Sequence, residues 1–288
     1  MNHQLSAEQA YLTNLSIQSG QIDASTLSRD LLSELREYFS IPNSVSDAEL
    51  LETCKQGSVS LIKEWREKRI DSNNPQSILK FYSETNAYCY ELVALDLSVP
   101  ASRKSQLAEL RDQLRSLGCN HGLDYGSGIG TTGIYLIRSG VQCEFADVSK
   151  TNLGFIERRL KNRGLESQTY LLPGAKIEAN AYDFVLAMDV LEHVPDPVEK
   201  LKEIRNFLKP GGVVLFNVIT SDSDDDPLHI MQDPTLIRKH VRGLGYAKIG
   251  SIGEFKIYQR VERPQILNHV LRALDSAFWS FRIAVKGH

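Results

Sequence analysis

The sequence predicts an α/β fold in which a parallel, doubly wound sheet follows an α-helical N-terminal region. Three observations support this fold class. Between residues 118 and 262, short apolar segments alternate with amphipathic segments, which is typical of a parallel sheet with helices on both faces. A run of glycines separates the first apolar segment from the helix that follows it. Before residue 118, apolar residues recur at helical spacing, and no segment has the pattern of a strand.

Residues 1–117 are predicted to be helical throughout. Ser25 and Thr26 precede an amphipathic segment that ends before Pro42, and Ser46 is a suitable N-cap for the next helix. Asn74 and Pro75 mark the start of a further helix. The predicted helices span about residues 26–41, 48–54, 59–68, 77–97 and 102–117.

The helix predicted at 77–97 is unusually rich in aromatic side chains, with three tyrosines in a short window. One interpretation is a helix that packs on the sheet domain with its tyrosines at the rim. The other is that Tyr82 and Tyr88 line the pocket of the substrate. Both interpretations remain open from the sequence.

From residue 118 onward each element follows from its pattern. The link at 173–181 is too short to form a full helix, and its side chains are mostly small. Gly253-Glu254 has the composition of a hairpin turn. Asp233 and Pro234 mark the start of a short helix that extends to residue 244. The predicted strands are 121–125, 141–145, 168–172, 182–188, 213–219, 246–252 and 255–261, and the other helices are 131–139, 149–163 and 197–208.

The last region, residues 263–288, contains an amphipathic helix predicted at 265–285, with basic residues around an apolar face. We expect it to pack against the N-terminal helices or against a second subunit, which would make the protein a homodimer. Contact with a membrane surface or an apolar carrier is the alternative.

The composition disfavours nucleic acid as a substrate. A net charge of -3 and a pI near 6.2 give no electrostatic reason to expect it, because binding to a phosphate backbone generally needs a concentrated basic face. The four cysteines form no CxxC pair, which favours reduced thiols. We expect no secretory signal and no transmembrane segment, and therefore a cytoplasmic protein.

The most informative segment is HGLDYGSGIGTTG at residues 121–133, with Asp147 about 20 residues further along. Glycines at the end of a strand let a ligand lie against the amides of a helix N-terminus, and an acidic residue after the next strand suits the hydroxyls of a ribose. The segment therefore predicts a nucleoside site. Gly128-x-Gly130-x-x-Gly133 also fits the dinucleotide fingerprint, so an NAD-dependent oxidoreductase is an alternative. Asp124 disfavours that alternative, because a carboxylate repels a diphosphate and suits a cationic ligand.

A second segment, YDFVLAMDVLEHVPDP at 182–197, is followed by LKPGGV at 208–213. With the glycine segment, these motifs resemble the class I S-adenosylmethionine-dependent methyltransferases over about residues 118–261. The resemblance implies a Rossmann-like sheet of seven strands with the last strand antiparallel, and S-adenosylmethionine as cofactor. It also implies methyl transfer to an oxygen or nitrogen nucleophile of a small molecule or peptide. A catalytically inactive subunit that binds the cofactor is an alternative function.

The resemblance also assigns residues to the cofactor. Asp147 would bind the ribose, and Asp124 would either contact the cofactor or cap backbone amides. The chain departs from many relatives after the third strand, where it has Leu172 and Pro173 instead of a carboxylate for the adenine amino group. We expect adenine to lie between Val148 and Leu172. The remaining assignments are Gly126, Gly128 and Gly130 to the methionine side, and Met188 and Asp189 to the region beside the sulfonium.

His193 is the candidate general base, because an imidazole accepts protons near neutral pH and this residue follows the fourth strand. A purely structural histidine is the alternative. Glu192 and His229 are further candidates for contact with the acceptor. The acidic segment 222–226 is expected to be a solvated loop, with attraction of a basic amine or a magnesium ion as alternatives. No metal site is assigned.

Overall fold

The computed structural model describes residues 30–98, 101–217, 227–230, 233 and 235–286. The predicted beginning of the first helix and the acidic segment 222–226 lie outside these ranges. Between residues 30 and 117, the described part of the chain forms six helices: α1 (Leu31–Tyr38), α2 (Asp47–Lys55), α3 (Gly57–Glu67), α4 (Pro75–Glu84), α5 (Ala87–Ser98) and α6 (Ala101–Ser116). Ser46 caps α2 with its hydroxyl, and Asn74 caps α4, as their residue types predicted.

The rest of the described chain alternates strands and helices. The elements are β1 (His121–Tyr125), α7 (Thr131–Arg138), β2 (Gln142–Asp147), α8 (Lys150–Asn162), β3 (Thr169–Leu171), β4 (Tyr182–Ala187), α9 (Pro197–Phe207), β5 (Leu208–Phe216), α10 (Thr235–His240), β6 (Tyr246–Ile252), β7 (Phe255–Arg260) and α11 (Gln265–Lys286). A short 3-10 turn spans Leu191–His193.

The seven strands form one sheet in the order β3-β2-β1-β4-β5-β7-β6. All pairs are parallel except those of β7, which is antiparallel to both β5 and β6. β1 lies inside the sheet, between β2 and β4, and its residues after His121 are buried. The α/β, Rossmann-like fold with one antiparallel strand is therefore confirmed.

The single helix predicted at 77–97 is wrong, because two helices meet there. The backbone of Thr85 is extended, with ψ of 137°, and its hydroxyl accepts a hydrogen bond from the amide of Ala87 at 3.2 Å. The hydroxyl of Thr151 also donates to the side chain of Asn86 at 2.7 Å. This break turns α5 away from α4 and brings both against the carboxyl edge of the sheet.

Among the other boundaries, two differ most from the prediction. β5 begins at Leu208 instead of residue 213, because the Lys-Pro-Gly-Gly segment is a bulge within the strand and Gly211 has a φ of 82°. The helix after Asp233 ends at His240 rather than at residue 244.

The N-terminal helices pack on the glycine segment through a buried cluster of opposite charges. The guanidinium of Arg159 is fully buried, donates to the carbonyl of Ile129 at 2.5 Å, and lies 3.4 Å from Glu34 of α1. The hydroxyl of Thr131, at the start of α7, donates to Asp96 of α5 at 3.0 Å. Separating Arg159 from Glu34 would leave two opposite charges buried apart from each other, and loss of the Thr131 hydroxyl would remove a hydrogen bond from Asp96. α1 and α5 therefore help to position the loop.

None of the helices in the described ranges is both long enough and apolar enough to cross a membrane. The division into regions 1–117, 118–262 and 263–288 stays a prediction.

Candidate functional site

The glycine segment turns between β1 and α7 with three residues in the left-handed region. Gly126, Gly128 and Gly130 have φ values of 72°, 53° and 76°, a conformation that strains other residues. Space restricts all three as well, and a Cβ on Gly130 would lie 2.7 Å from Ile156. A Cβ on Gly126 would lie 2.5 Å from Val190, and one on Gly128 would lie 2.9 Å from Leu92 of α5. The backbone thus lies close to β4 on one side and to the N-terminal helices on the other.

Asp147 ends β2 beside this loop and is buried. Its Oδ2 accepts the amide hydrogen of Gly128 at 2.9 Å, and its Oδ1 accepts that of Ser149 at 2.8 Å. Burial raises the pKa of Asp147 to about 6, against the opposing effect of these hydrogen bonds. The side chain also lines a cavity, where its carboxylate can meet a ligand.

Asp124 lies beneath the loop and does not line the cavity. Its Oδ2 accepts the amide hydrogen of Gly133 at 3.2 Å, which matches the predicted alternative of capping backbone amides. Burial raises the pKa of Asp124 to about 7. Its direct contact with the cofactor stays a prediction.

A cavity of about 380 Å³ opens at the carboxyl ends of β1, β2 and β4. This is the edge at which ligands bind in open α/β sheets, and the volume is that of a small-molecule pocket. Eight of the residues predicted for the site line it: Tyr82, Tyr88, Gly126, Asp147, Val148, Leu172, Asp189 and His193.

Six predicted residues do not line this cavity. Gly128 and Gly130 face side chains of the packed interior. Met188 packs against the apolar core on one face of the sheet. The other three are Asp124, Glu192 and His229.

His193 and Tyr82 lie close together at one end of the cavity, where α4 forms part of the wall. The Nδ1 of His193 lies 3.0 Å from the carbonyl oxygen of Leu228 and 3.3 Å from the hydroxyl of Tyr82. A carbonyl only accepts, so Nδ1 carries the hydrogen and Nε2 is the basic nitrogen of the neutral ring. The Tyr82 hydroxyl then donates to the same carbonyl, at 3.4 Å. Tyr88 packs against Tyr82, and burial raises the pKa of its hydroxyl well above the ordinary value.

Glu192 is fully buried, and its carboxylate has no hydrogen-bond partner within the part of the chain that the structure describes. Burial raises the pKa of Glu192 to about 7. One oxygen of Glu192 and one ring nitrogen each of His193 and His229 lie within 4.8 Å of one another, so these three side chains could hold a metal ion.

Asp189 follows β4 with a φ of 55°, and a side chain from the neighbouring strand supports it. The Oδ1 of Asn217 accepts the amide hydrogen of Asp189 at 2.8 Å, and the Nδ2 of Asn217 donates to the carboxylate at 2.5 Å. Asn217 was missed at the sequence level. Its position directly after β5 was the available signal, since adjacent parallel strands end at the same edge.

The sequence also gave no indication of two parts of the cavity wall. Ile78 and Leu79 of α4 form an apolar part. Tyr125, Lys200 and Glu203 form a polar part, in which the ammonium of Lys200 lies 2.5 Å from Glu203 and 5.5 Å from the ring centre of Tyr125. Lys200 and Glu203 lie on α9 at ordinary helical surface spacing, so no local pattern distinguishes them.

Several known proteins are similar to this chain. A ubiquinone biosynthesis O-methyltransferase of Aeromonas salmonicida is 33% identical over 100 residues, which covers 34% of this chain and 42% of that protein. Another, from Methylococcus capsulatus, is 30% identical over 132 residues, covering 44% and 55%. The chain therefore spans about half the length of the curated relatives it matches. A solved O-methyltransferase family protein from Burkholderia thailandensis aligns with a TM-score of 0.48 and 16% identity, covering 76% of this chain and 74% of that one.

The match that decides the family is to a model described as a methyltransferase domain, which covers residues 97–248, more than half of the chain. It includes the glycine loop, Asp147 and the segment from Tyr182 to Pro197. The chain therefore belongs to the methyltransferase-domain family, which confirms its resemblance to the S-adenosylmethionine-dependent methyltransferases.

Proposed function

We propose that the protein transfers a methyl group from S-adenosylmethionine to an oxygen nucleophile of a small molecule. The observation that supports this best is the single cavity between Asp147 and His193. Its wall joins residues predicted for the cofactor to residues predicted for the acceptor. A transfer reaction requires both ligands in one enclosed space, because positioning provides much of the acceleration.

The residues at one end of the cavity fit the cofactor. Asp147 offers two carboxylate oxygens to the ribose hydroxyls, and Val148 and Leu172 offer apolar surface to adenine. Gly126 exposes backbone to the methionine part. When bound, S-adenosylmethionine supplies a methyl group on a positively charged sulfur. The carboxylate of Asp189, oriented by Asn217, would favour that positive charge. Gly128, Gly130, Asp124 and Met188 would then contribute through the shape of the loop.

The other end suits an acceptor with an ionisable hydroxyl. In our proposal the neutral His193 ring takes the proton of that hydroxyl on Nε2, while the Leu228 carbonyl holds the ring in this tautomer. Tyr82 and Tyr88 provide aromatic surface. Both curated relatives are O-methyltransferases by name, which favours oxygen over nitrogen. A peptide acceptor and N-methylation remain within the proposal as less favoured forms.

A catalytically inactive, cofactor-binding subunit is the competing function, since nothing in the cofactor end of the cavity would distinguish it. The acceptor end favours an enzyme, because a histidine whose Nε2 is kept basic beside an apolar cavity is suited to proton transfer, which a sensor does not require. The proposal also includes a reducing compartment, the cytoplasm, because all four cysteines are free thiols. The homodimer stays a prediction.

Two measurements test the proposed function. Calorimetric titration with S-adenosylhomocysteine and with NAD should show binding of the first only. Incubation with S-adenosylmethionine and a panel of phenols, catechols, amines and short peptides, analysed by mass spectrometry, should then show a product heavier by one methylene on oxygen. Binding without any product would support the inactive subunit. Binding of NAD alone would overturn the proposal.

A further inference from the structure

Helix α11 exposes a long apolar face. Five large apolar side chains have between 43% and 79% of their surface exposed, and they follow one another at helical spacing: Ile266, Leu267, Val270, Leu274 and Phe278. Exposed Ala273 and Ala277 lie on the same side. A contiguous apolar stripe on a protein surface indicates an interaction site, whereas single exposed apolar residues need no explanation.

The opposite face of α11 packs on the protein with polar groups. Asp275 is buried and accepts a hydrogen bond from the guanidinium of Arg242 at 2.7 Å. The guanidinium of Arg238, on α10, lies 5.0 Å from the ring centre of Trp279. The helix packs so closely that a Cβ on Gly243 would lie 2.6 Å from that of Arg272. The helix therefore has the reverse of the usual arrangement, with its polar side inward and its apolar side outward.

The charges beside the apolar face are basic. Arg282 is exposed on α11, with its guanidinium 5.7 Å from the ring centre of Phe278, and Arg238 and Lys239 lie in the last turn of α10. The only acidic residue in the sequence of α11 is Asp275, which is buried in its ion pair. The chain as a whole has a net charge of -3, so this basic region runs against the overall balance.

We propose that α11 binds the surface of a lipid bilayer with anionic head groups, with its axis in the plane of the membrane. Apolar side chains would enter the boundary between head groups and acyl chains, and the flanking arginines would meet lipid phosphates. A second copy of the chain fits the face less well. If two α11 helices packed together, the arginines of one would find no exposed carboxylate on the α11 helix of the other. Anionic lipid head groups, in contrast, would neutralise the charges of these arginines.

Vesicle flotation tests this proposal directly. The full chain should float with vesicles of phosphatidylcholine and phosphatidylglycerol, and much less with pure phosphatidylcholine. Fluorescence of a tryptophan on the apolar face gives a second readout. Anionic vesicles should shift the emission of Phe278→Trp to shorter wavelength relative to the wild type, whose Trp65 is buried among the N-terminal helices and whose Trp279 lies on the packed face.

Matched variants distinguish specific binding by the apolar face of α11 from nonspecific adsorption to vesicles. Val270→Gln with Leu274→Gln should weaken vesicle binding by roughly tenfold or more, because both side chains would lose apolar burial. The control pair Val59→Gln with Ile249→Gln changes side chains that are 60% and 42% exposed elsewhere, and it should bind as the wild type does. Arg238→Gln with Arg282→Gln should remove the preference for anionic vesicles. Circular dichroism checks that each variant is folded.

Three results would overturn the proposal. One is no flotation of the wild type with anionic vesicles. Another is equal flotation of the α11 variants and the control pair. The third is a dimer in sedimentation analysis that Val270→Gln with Leu274→Gln dissociates, which would assign the apolar face to a second copy.

Discussion

The two ends of the cavity are assembled in different ways. At the cofactor end, the glycine loop and Asp147 come from one β-α-β unit, and the hydrogen bond that joins them spans 19 residues of sequence. At the acceptor end, Tyr82 meets His193 across 111 residues and the Leu228 carbonyl across 146. The contacts that place Asp147 against the loop therefore lie within one local unit, on which α1 and α5 pack. An end assembled from distant segments can change its lining without disturbing the sheet.

If this comparison is right, variants at the cofactor end change cofactor affinity and variants at the acceptor end change turnover. The largest expected effect is at Asp147. We expect Asp147→Ala to weaken binding of S-adenosylhomocysteine by roughly 100-fold or more, because hydrogen bonds from two ribose hydroxyls to a carboxylate are lost. Calorimetry measures this. Glu178→Ala, an exposed carboxylate after β3, is the control. Unchanged affinity in Asp147→Ala would remove the ribose assignment.

Turnover should depend most on His193. His193→Ala should lower kcat by about 100-fold at saturating substrates, the size of a lost general base, and leave the dissociation constant of S-adenosylhomocysteine unchanged. His240→Ala is a matched control, since the Nδ1 of His240 also contacts a backbone carbonyl, at 2.7 Å, but the residue lies outside the cavity. A turnover equal to that of the wild type would leave His193 with a structural role only.

Acid should weaken the cofactor end by protonating Asp147. Its pKa is raised to about 6 by burial, and only the ionised carboxylate accepts two hydroxyls. The affinity for S-adenosylhomocysteine should therefore be constant above pH 7 and fall about tenfold per pH unit below about 6. Titrations across this range test it. Asp147→Asn has no carboxyl group to titrate at this position. It should bind S-adenosylhomocysteine weakly, and residue 147 should add no pH dependence to its affinity.

A smaller effect is expected at Tyr82, which contributes to the acceptor end through its hydroxyl. Tyr82→Phe removes a hydroxyl 3.4 Å from the Leu228 carbonyl, and we expect kcat/KM for the acceptor to fall about fivefold. Cofactor affinity should not change. Tyr90→Phe, on α5 and outside the cavity, is the control. A loss of cofactor affinity in Tyr82→Phe would show that the two ends are not independent.

The smallest effect is on stability and comes from Asp124, beneath the cofactor loop. Burial raises the pKa of this carboxyl in the folded protein to about 7, so its contribution to stability is full below its unfolded pKa and declines as pH rises to about 7. Asp124→Asn should therefore be more stable than the wild type at pH 8, by about 1 kcal/mol or more, and the difference should vanish near pH 4. Urea unfolding measures both. If Asp124 only caps the amide of Gly133, cofactor affinity should stay the same in this variant.

The cofactor end was largely predictable from sequence, and the acceptor end was not. Glycines with positive φ and a carboxylate after the next strand are local requirements, so Gly126 and Asp147 could be named in advance. The split between α4 and α5 could not, because it depends on contacts of Thr85 and Asn86, one of them with Thr151 of α8. Nor could the position of Glu192, whose burial behind the cavity wall follows from the 3-10 turn and the packing around it.

The sequence by itself determined the order of strands and helices in the sheet region, the loop that begins α7 and the carboxylates at the sheet edge. These follow from residue periodicity and backbone conformation, which act over a few residues. Only the tertiary structure decided that Tyr82, His193 and Leu228 meet, that Arg159 joins α1 to the glycine loop, and that α11 faces outward with its apolar side. Each of these depends on how distant segments pack, and the same helical pattern is compatible with more than one packing partner.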